Sequence, residues 1–306
     1  MIARPTGGGA IAADRATEIF PDGAPRPIGT AYLRNGACPL SCVYCALYRQ
    51  AGDAVVSGAE IARQIRDTRL RLAPVDGIKL YNGSSLFEPR SIRQGAEDLE
   101  AIAREVDDLE LVVVEARAEQ ARRAPELAGR LRGRLEVAVG LEVADDALLR
   151  ALGKPTTVSR FREAAAFLRD ANILLRAFVL VQPPFVAAHA AARLALETFD
   201  LAVACGARVV SLLPVVSQHA PMERLRAAGE FTEISRQAYF RVVASCVARG
   251  GAVVLAEPEA LDRLPTCPDC GSERASALAA LNATGRLPPV ACDRCEPRGD
   301  SPGRFR

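Results

Sequence analysis

Apolar runs and polar segments of helical period alternate along most of this chain. Runs typical of strands occupy residues 28–33, 77–81, 109–114, 135–141, 173–181 and 208–214. Segments with helical spacing of apolar residues occupy 59–72, 159–170, 190–205 and 233–249. Such alternation predicts an α/β fold with a parallel sheet and right-handed crossovers. Six strands are counted, and residues 253–255 form a candidate seventh.

The two ends of the chain differ in composition from its middle. The first 27 residues are rich in Gly, Pro and Ala, which predicts a flexible arm over residues 1–27. The apolar pattern then defines a core domain over residues 28–256. Paired cysteines over residues 257–306 predict a small C-terminal metal-binding tail.

Charge gives little information about partners. The net charge is only +2, so no global electrostatic argument for nucleic acid can be made. Of 39 Lys and Arg residues only Lys79 and Lys154 are lysines, which we interpret as a genomic base-composition bias. No apolar run reaches the roughly 18 residues of a membrane span, and no signal-peptide pattern opens the chain. We therefore expect a cytoplasmic protein without a membrane partner.

Seven of the nine cysteines fall into two clusters, and the first cluster follows the first predicted strand. Cys38, Cys42 and Cys45 are spaced C-x3-C-x2-C. Because cubanes usually take four cysteines, three thiolates in one loop can hold a [4Fe–4S] cluster with one iron open to another ligand. The alternative is a zinc knuckle, which lacks a nearby fourth ligand because His189 and His219 lie far downstream.

The spacing of this triplet and the aromatic Tyr44 before its last cysteine resemble the signature of the radical S-adenosylmethionine (radical SAM) superfamily. The resemblance implies a partial (β/α)6 TIM-like barrel with its chemistry at the carboxyl ends of the strands. It also implies that the open iron binds the methionine part of SAM. A low-potential electron donor such as flavodoxin or ferredoxin would then drive cleavage of SAM to a 5′-deoxyadenosyl radical, so no conventional catalytic residue is assigned.

The same resemblance assigns residues at the strand ends to SAM. Asn82, Gly83 and Ser84 occupy the place of the glycine-rich stretch that holds the SAM amino group, although its usual acidic residue is absent. Glu142 is placed to accept bonds from the ribose hydroxyls, and Leu213 to pack against adenine. An ordinary β/α turn and a core strand remain the alternatives for the first and last of these sites.

Four further residues near strand ends have other candidate roles. Glu115 and Arg117 are either functional or an exposed ion pair. Asp145 precedes an apolar helical run and is expected to cap that helix. Gln182 is a candidate for the substrate side of the barrel.

Longer motifs resemble the radical SAM domains of the elongator acetyltransferase and archaeosine synthase families. They are Asn82 to Pro89, Glu115-x-Arg117, Gly140-Leu141-Glu142 and Leu149-x-x-Leu152-Gly153-Lys154. Both families act on tRNA, so the resemblance implies an RNA substrate, although their cysteine spacing differs. Bacterial radical SAM proteins without an assigned activity are similar in Leu33-Arg34-Asn35, in Phe178-Val179-Leu180-x-x-Pro183-Pro184-Phe185 and in a cysteine-rich tail.

The second cysteine cluster lies in the tail. Cys267 and Cys270 form one C-x2-C pair, and Cys292 and Cys295 form another after a 21-residue spacer. Four thiolates at this spacing predict a structural zinc site, and a second iron–sulfur cluster is the alternative. The two remaining cysteines, Cys205 and Cys246, are expected to be buried as small apolar residues.

Three function classes follow from these motifs. The first is a radical SAM enzyme that modifies an RNA nucleoside, with the tail and nearby arginines holding the phosphate backbone. The second modifies a small molecule or peptide and uses the tail cysteines for an auxiliary cluster. The third is a non-enzymatic, metal-dependent binding protein.

Overall fold

The computed structural model describes residues 10–47, 52, 54–216 and 218–295. In this part of the chain, eight strands form one sheet in the order β1 to β8. The strands are β1 (Ala12–Ile19), β2 (Pro25–Tyr32), β3 (Gly77–Tyr81), β4 (Leu111–Ala116), β5 (Arg134–Glu142), β6 (Leu174–Val181), β7 (Val209–Pro214) and β8 (Val253–Ala256). The helices are α1 (Gly58–Leu72), α2 (Ala96–Arg104), α3 (Ala124–Ala128), α4 (Asp146–Ala151), α5 (Val158–Asp170), α6 (Ala188–Ala204), α7 (Ala220–Ala227), α8 (Arg236–Arg249), α9 (Pro258–Leu261) and α10 (Gly271–Thr284).

The pairing of the strands confirms the predicted α/β fold of partial (β/α) barrel type. Strand β2 pairs with β3, β3 with β4 and β4 with β5, all in parallel, and β7 pairs in parallel with β8. All six predicted strands are present, and β8 confirms the candidate seventh strand. The largest shifts are in β2, which begins three residues earlier than predicted, and in β4, which begins and ends two residues later.

Strand β1 contradicts part of the predicted flexible arm. It pairs antiparallel with β2 along its whole length, from Ala12 opposite Tyr32 to Ile19 opposite Pro25. The turn between the strands is closed by hydrogen bonds between Phe20 and Ala24 and between Gly23 and Phe20. The expectation of an arm is therefore wrong for residues 12–27, while residues 1–9 lie outside the described residues.

Side-chain caps explain where several helices begin. Ser57 and Glu60 form a reciprocal capping box at the start of α1. The carboxylate of Asp145 accepts the backbone N–H of Leu148 over 2.8 Å at the start of α4, which confirms its predicted capping role. In the described part of the chain, every helix is too short or too polar to cross a bilayer.

The chain divides into two compact units. The first comprises Met1–Ser41, Cys45–Gly140 and Ser159–Arg176, and the second comprises Cys42–Tyr44, Leu141–Val158 and Ala177–Arg306. The predicted domain boundaries at residues 28 and 257 do not coincide with these limits and remain a prediction. Within the second unit, the Asn282 side chain of α10 binds both the N–H and the C=O of Ala256 in β8, over 2.8 and 2.7 Å.

A network of buried charges lies in the first unit. Arg176 is 1% exposed and donates to Glu136 over 2.6 Å, to Glu18 over 2.8 Å and to the Tyr81 hydroxyl over 3.3 Å. Lys79 donates to the other oxygen of Glu18 over 2.6 Å. Burial opposes ionisation of Glu18, but the charges and hydrogen bonds of Arg176 and Lys79 outweigh it and lower the pKa of Glu18 to about 2. Two cations thus balance two carboxylates inside this unit.

Candidate functional site

The cysteine triplet follows β2, where the sequence predicted it. Cys38 and Cys45 are half-buried in the first unit, and Cys42 is buried in the second. The Cys42 thiol donates to the carbonyl oxygen of Gly153 over 3.6 Å, and the N–H of Val43 donates to Leu152 over 3.0 Å. The middle of the cysteine loop is therefore supported by the segment after α4. The triplet remains a predicted set of cluster ligands.

The turn after β3 has the chemistry that a polar ligand requires. Asn82 is 6% exposed, and among the described residues neither polar atom of its side-chain amide has a hydrogen-bond partner. The hydroxyl oxygen of Ser84 is also buried and unpartnered there. Buried polar atoms are nearly always paired, so this arrangement fits a site for a polar ligand, and the predicted contact with SAM remains a prediction.

Gly83 makes this turn possible. Its φ of +62° lies in the left-handed region that favours glycine. A Cβ at this position would also lie 2.9 Å from the Cβ of Leu47, two residues beyond Cys45. Glycine therefore permits both the turn and the close approach of the end of the cysteine loop within the first unit.

Glu142 is held in a strained conformation at the end of β5. Its φ is +65°, although it is not a glycine, and it is 5% exposed. The ammonium group of Lys154 donates to its carboxylate over 2.7 Å. Strained backbone of this kind is retained mainly at functional sites, where the surroundings enforce it. Lys154 and Gly153 thus connect Glu142 and Cys42 within the second unit, which the sequence analysis did not foresee.

Two predicted cofactor-binding residues, Tyr44 of the cysteine loop and Leu213 of the predicted adenine site, pack against one apolar cluster in the second unit. Tyr44 and Leu213 are both partly buried there. The buried members of the cluster are Val143, Leu149, Leu152, Leu180, Val215, Met222 and Phe231. The structure thus brings the aromatic residue of the cysteine loop and the end of β7 to the same apolar surface. Their contact with a cofactor remains a prediction.

Glu115 and Arg117 have separate partners. The carboxylate of Glu115 accepts the backbone N–H groups of Asn82 and Gly83, over 2.7 and 2.8 Å. Arg117 pairs with Glu88, which is 1% exposed. The alternative of an exposed ion pair between Glu115 and Arg117 is therefore wrong. Gln182, the candidate for the substrate side, is 4% exposed and donates to the backbone of Val186.

The tail brings its four cysteines together. In the described part of the chain, Cys267, Cys270, Cys292 and Cys295 are the one group of at least three His, Cys, Asp or Glu residues whose ligand atoms all lie within 4.8 Å of one another. The sulfur atoms of Cys267 and Cys292 are 4.0 Å apart, and those of Cys270 and Cys295 are 3.8 Å apart. Four thiolates this close repel one another unless a cation compensates their charge.

The surroundings of the tail cysteines act differently on individual thiols. Backbone N–H groups of Asp269 and Cys270 lower the pKa of Cys267 to about 7, whereas burial raises the pKa of Cys270 and raises that of Cys295 to about 12. Arg274 donates to the sulfur of Cys270 over 3.2 Å, is 1% exposed and stacks on Phe240 with a separation of 4.7 Å. The tail therefore has the donor set of a metal centre and a buried cation beside it. Cys205 and Cys246 are buried, as predicted.

Comparisons with known proteins agree with the fold. No protein-family model matches the chain, and no curated protein matches it in sequence. Among solved structures, a radical SAM methyltransferase from Sphaerobacter thermophilus is similar with a TM-score of 0.53 and 15% identity, over 81% of this chain and 73% of that one. The Methanocaldococcus infernus Elp3 with an N-terminal deletion is similar with a TM-score of 0.52 and 12% identity, over 77% of this chain and 60% of that one.

A third structure is queuine lyase from Clostridium spiroforme bound to SAM and queuine. It gives a TM-score of 0.52 and 12% identity, over 83% of this chain and 94% of that one. The chain spans only 37% and 60% of the length of two of the chains it matches. At these identities the comparisons establish the fold. The chain therefore shares its fold with solved structures of radical SAM enzymes.

Proposed function

We propose that this chain is a radical SAM enzyme that acts on an RNA nucleoside. The observation that carries the proposal is the C-x3-C-x2-C triplet directly after β2, in a fold shared with radical SAM enzymes. A cluster bound by Cys38, Cys42 and Cys45 would keep one iron open. The polar side-chain atoms of Asn82 and Ser84, which are buried and have no partner within the described part of the chain, give independent support from the next strand end.

Each proposed site residue has a role in holding the cofactors. Asn82, Gly83 and Ser84 would bind the amino group of SAM, and Glu142, oriented by Lys154, would accept bonds from its ribose. Tyr44 and Leu213 would exclude water from the adenosine part. When bound, the reduced [4Fe–4S] cluster and SAM supply a 5′-deoxyadenosyl radical, so the side chains need only orient the reactants and keep the pocket dry. Flavodoxin or ferredoxin would supply the electron.

Two observations favour RNA as the substrate. The sequence resembles families that act on tRNA, and the structures that share the fold include an Elp3. Arg263 and Arg286 are exposed on the tail, where guanidinium groups can bind phosphate. The alternatives to this proposal are modification of a small molecule and a non-enzymatic binding role, and the experiments distinguish them from it.

The proposal is tested by anaerobic reconstitution of the full chain with iron and sulfide. We expect about four irons in the barrel cluster and dithionite-dependent formation of 5′-deoxyadenosine from SAM. The iron content and the yield of 5′-deoxyadenosine are measured on the same sample, by metal analysis and by liquid chromatography with mass spectrometry. A reconstituted cluster without SAM cleavage would show a binding protein rather than a radical enzyme.

The substrate class is tested with tRNA. We expect the affinity for tRNA to fall steeply as the salt concentration rises. Arg263→Gln and Arg286→Gln should each make the negative slope of log affinity against log salt shallower by about 1. Arg193→Gln, on the exposed side of α6, is the control and should leave the slope unchanged. Transfer of deuterium from labelled tRNA to 5′-deoxyadenosine would support RNA, whereas salt-independent or absent binding would favour a small molecule.

We also propose that the tail holds one zinc ion rather than a second iron–sulfur cluster. Tetrahedral zinc with Zn–S bonds of about 2.3 Å places its sulfur atoms roughly 3.8 Å apart. The separations of 3.8 and 4.0 Å in the tail match this geometry. A cubane instead binds each thiolate through a different iron and therefore needs wider spacing.

Metal analysis tests the zinc proposal. We expect one zinc per chain after reconstitution, and about four irons rather than eight. Cys295→Ser should remove the zinc, lower the melting temperature and leave the iron count unchanged, because bound metal stabilises the tail. Cys246→Ser, at a buried cysteine of α8, is the control that should keep the zinc. Eight irons without zinc would contradict the proposal.

A further inference from the structure

The loop that follows β3 is fixed at both ends by side chains from the end of β4. At its start, one carboxylate oxygen of Glu115 accepts the N–H groups of Asn82 and Gly83, over 2.7 and 2.8 Å. The backbone oxygen of Glu115 also accepts the N–H of Leu86 over 2.8 Å. All of these residues belong to the first unit. Glu115 alone therefore makes three hydrogen bonds to this loop.

Arg117 fixes the other end of the same loop. It pairs with Glu88, whose carboxylate is buried and also accepts the side-chain amide of Gln120 over 3.0 Å. Burial alone would raise the pKa of Glu88, but hydrogen bonds from Arg90 and Gln120 and the charge of Arg117 outweigh it and lower that pKa. Glu88 is therefore held as a carboxylate, and it needs its partners to remain buried.

The loop held in this way presents the unpartnered polar atoms. Both polar atoms of the Asn82 side chain and the hydroxyl of Ser84 are buried without partners among the described residues. Glu115 binds the N–H groups of two successive residues, Asn82 and Gly83, at the point where Gly83 adopts its positive φ. Without these bonds, the turn could relax and the polar atoms would gain water.

We propose that Glu115 and Arg117 are positioning residues that form a two-point clamp on residues 82–88, so that Asn82 and Ser84 are already in place for the amino-acid part of SAM. This inference rests on the proposed function. Neither Glu115 nor Arg117 contacts SAM in this proposal. Both act through the loop. Because the loop is ordered before SAM binds, the binding free energy is not reduced by the entropy lost in ordering it. The Glu-x-Arg motif therefore holds both ends of one loop, with Glu115 at its start and Arg117 at its end.

The clamp is tested first in the metal-free chain, without SAM. Amide hydrogen exchange over residues 82–88 is compared among wild type, Glu115→Ala, Glu115→Gln and Arg117→Met. We expect Glu115→Ala to speed exchange in this loop roughly tenfold or more, because hydrogen bonds to charged groups are strong. Glu115→Gln, which keeps an acceptor oxygen, should show a smaller increase. Strand β3 and the control Glu119→Ala, in the adjacent 3-10 helix, should exchange as in wild type.

The second measurement is the dissociation constant of SAM for the reconstituted full chain. We expect Glu115→Ala and Arg117→Met to raise it about tenfold or more, with an unchanged iron count and with kcat at saturating SAM much less affected than KM. Unchanged loop exchange or unchanged SAM affinity in Glu115→Ala would overturn the clamp. If wild type itself neither binds nor cleaves SAM, the proposed function fails, and the exchange data still decide whether the loop is clamped.

Discussion

Replacing Cys42 with alanine should eliminate both the reconstituted cluster and SAM cleavage. Cys42 is the middle ligand of the predicted triplet, and a cubane held by two thiolates in one loop loses its chelation. Even residues outside the ligand set typically cost metal sites 10 to about 100-fold in affinity or activity when mutated. Loss of a ligand should exceed that range, so 5′-deoxyadenosine formation should fall to the uncatalysed background.

A matched control separates loss of a ligand from loss of a buried sulfur atom. Cys205 is 8% exposed and Cys42 is 9% exposed, so Cys205→Ala removes the same atoms from a similar environment at the end of α6. We expect Cys205→Ala to keep about four irons and SAM cleavage, and circular dichroism to show both variants folded. If Cys42→Ala retains the cluster and cleaves SAM at the wild-type rate, the triplet does not form the site.

The parallel part of the fold was predictable because its strands are buried on both faces. Runs such as Leu111–Ala116 and Val209–Pro214 are almost continuously apolar, which is typical of strands in parallel sheets. The helices between them carry one apolar face each, so their period was also visible. The candidate site residues at the strand ends came from the family resemblance, and strand order adds only that loops after parallel strands share one edge of the sheet.

Strand β1 was not predictable in the same way. Four of its eight residues from Ala12 to Ile19 are polar and three are exposed, so it lacks the apolar run that marks the other strands. It is held by backbone pairing with β2 and by the buried side chain of Glu18. From sequence alone, a charged residue such as Glu18 favours an exposed loop. Its burial within a strand can be predicted only when its partners on other strands are known.

The two lysines mark buried ion pairs, although the sequence analysis interpreted the scarcity of lysine only as a base-composition bias. Lys79 and Lys154 are the only lysines among 39 basic residues, and each pairs with a buried glutamate. An ammonium group is a compact point charge, whereas a guanidinium group is a planar fork, so the two do not substitute freely at buried sites. In a chain biased towards arginine, a retained lysine therefore marks a site with a specific shape. The partners themselves depend on strand pairing and could not be inferred.

Replacing Arg176 with methionine should destabilise the folded chain severely. The substitution leaves Glu136 without its 2.6 Å donor and removes one of the two cations that bind Glu18. Removing one partner of a buried ion pair typically costs about 3–5 kcal/mol, because the remaining charge is buried and unpaired. Since domains are stable by about 5–15 kcal/mol, this is a large fraction of the total. The free energy of unfolding is measured in urea on the metal-free chain.

The dependence of this stability on pH identifies the cause. Because the folded pKa of Glu18 is lowered from 4.5 to about 2, its contribution is present above pH 4.5 and is lost as the pH falls towards 2. Arg176→Met removes a charge that lowers this pKa, so the pKa should rise and acid unfolding should begin at a higher pH. The control Arg193→Met breaks an exposed pair with Glu197 and should cost less than about 1 kcal/mol. If both variants lose the same small amount of unfolding free energy and unfold at the same acid midpoint, the buried network contributes no more to stability than a surface pair.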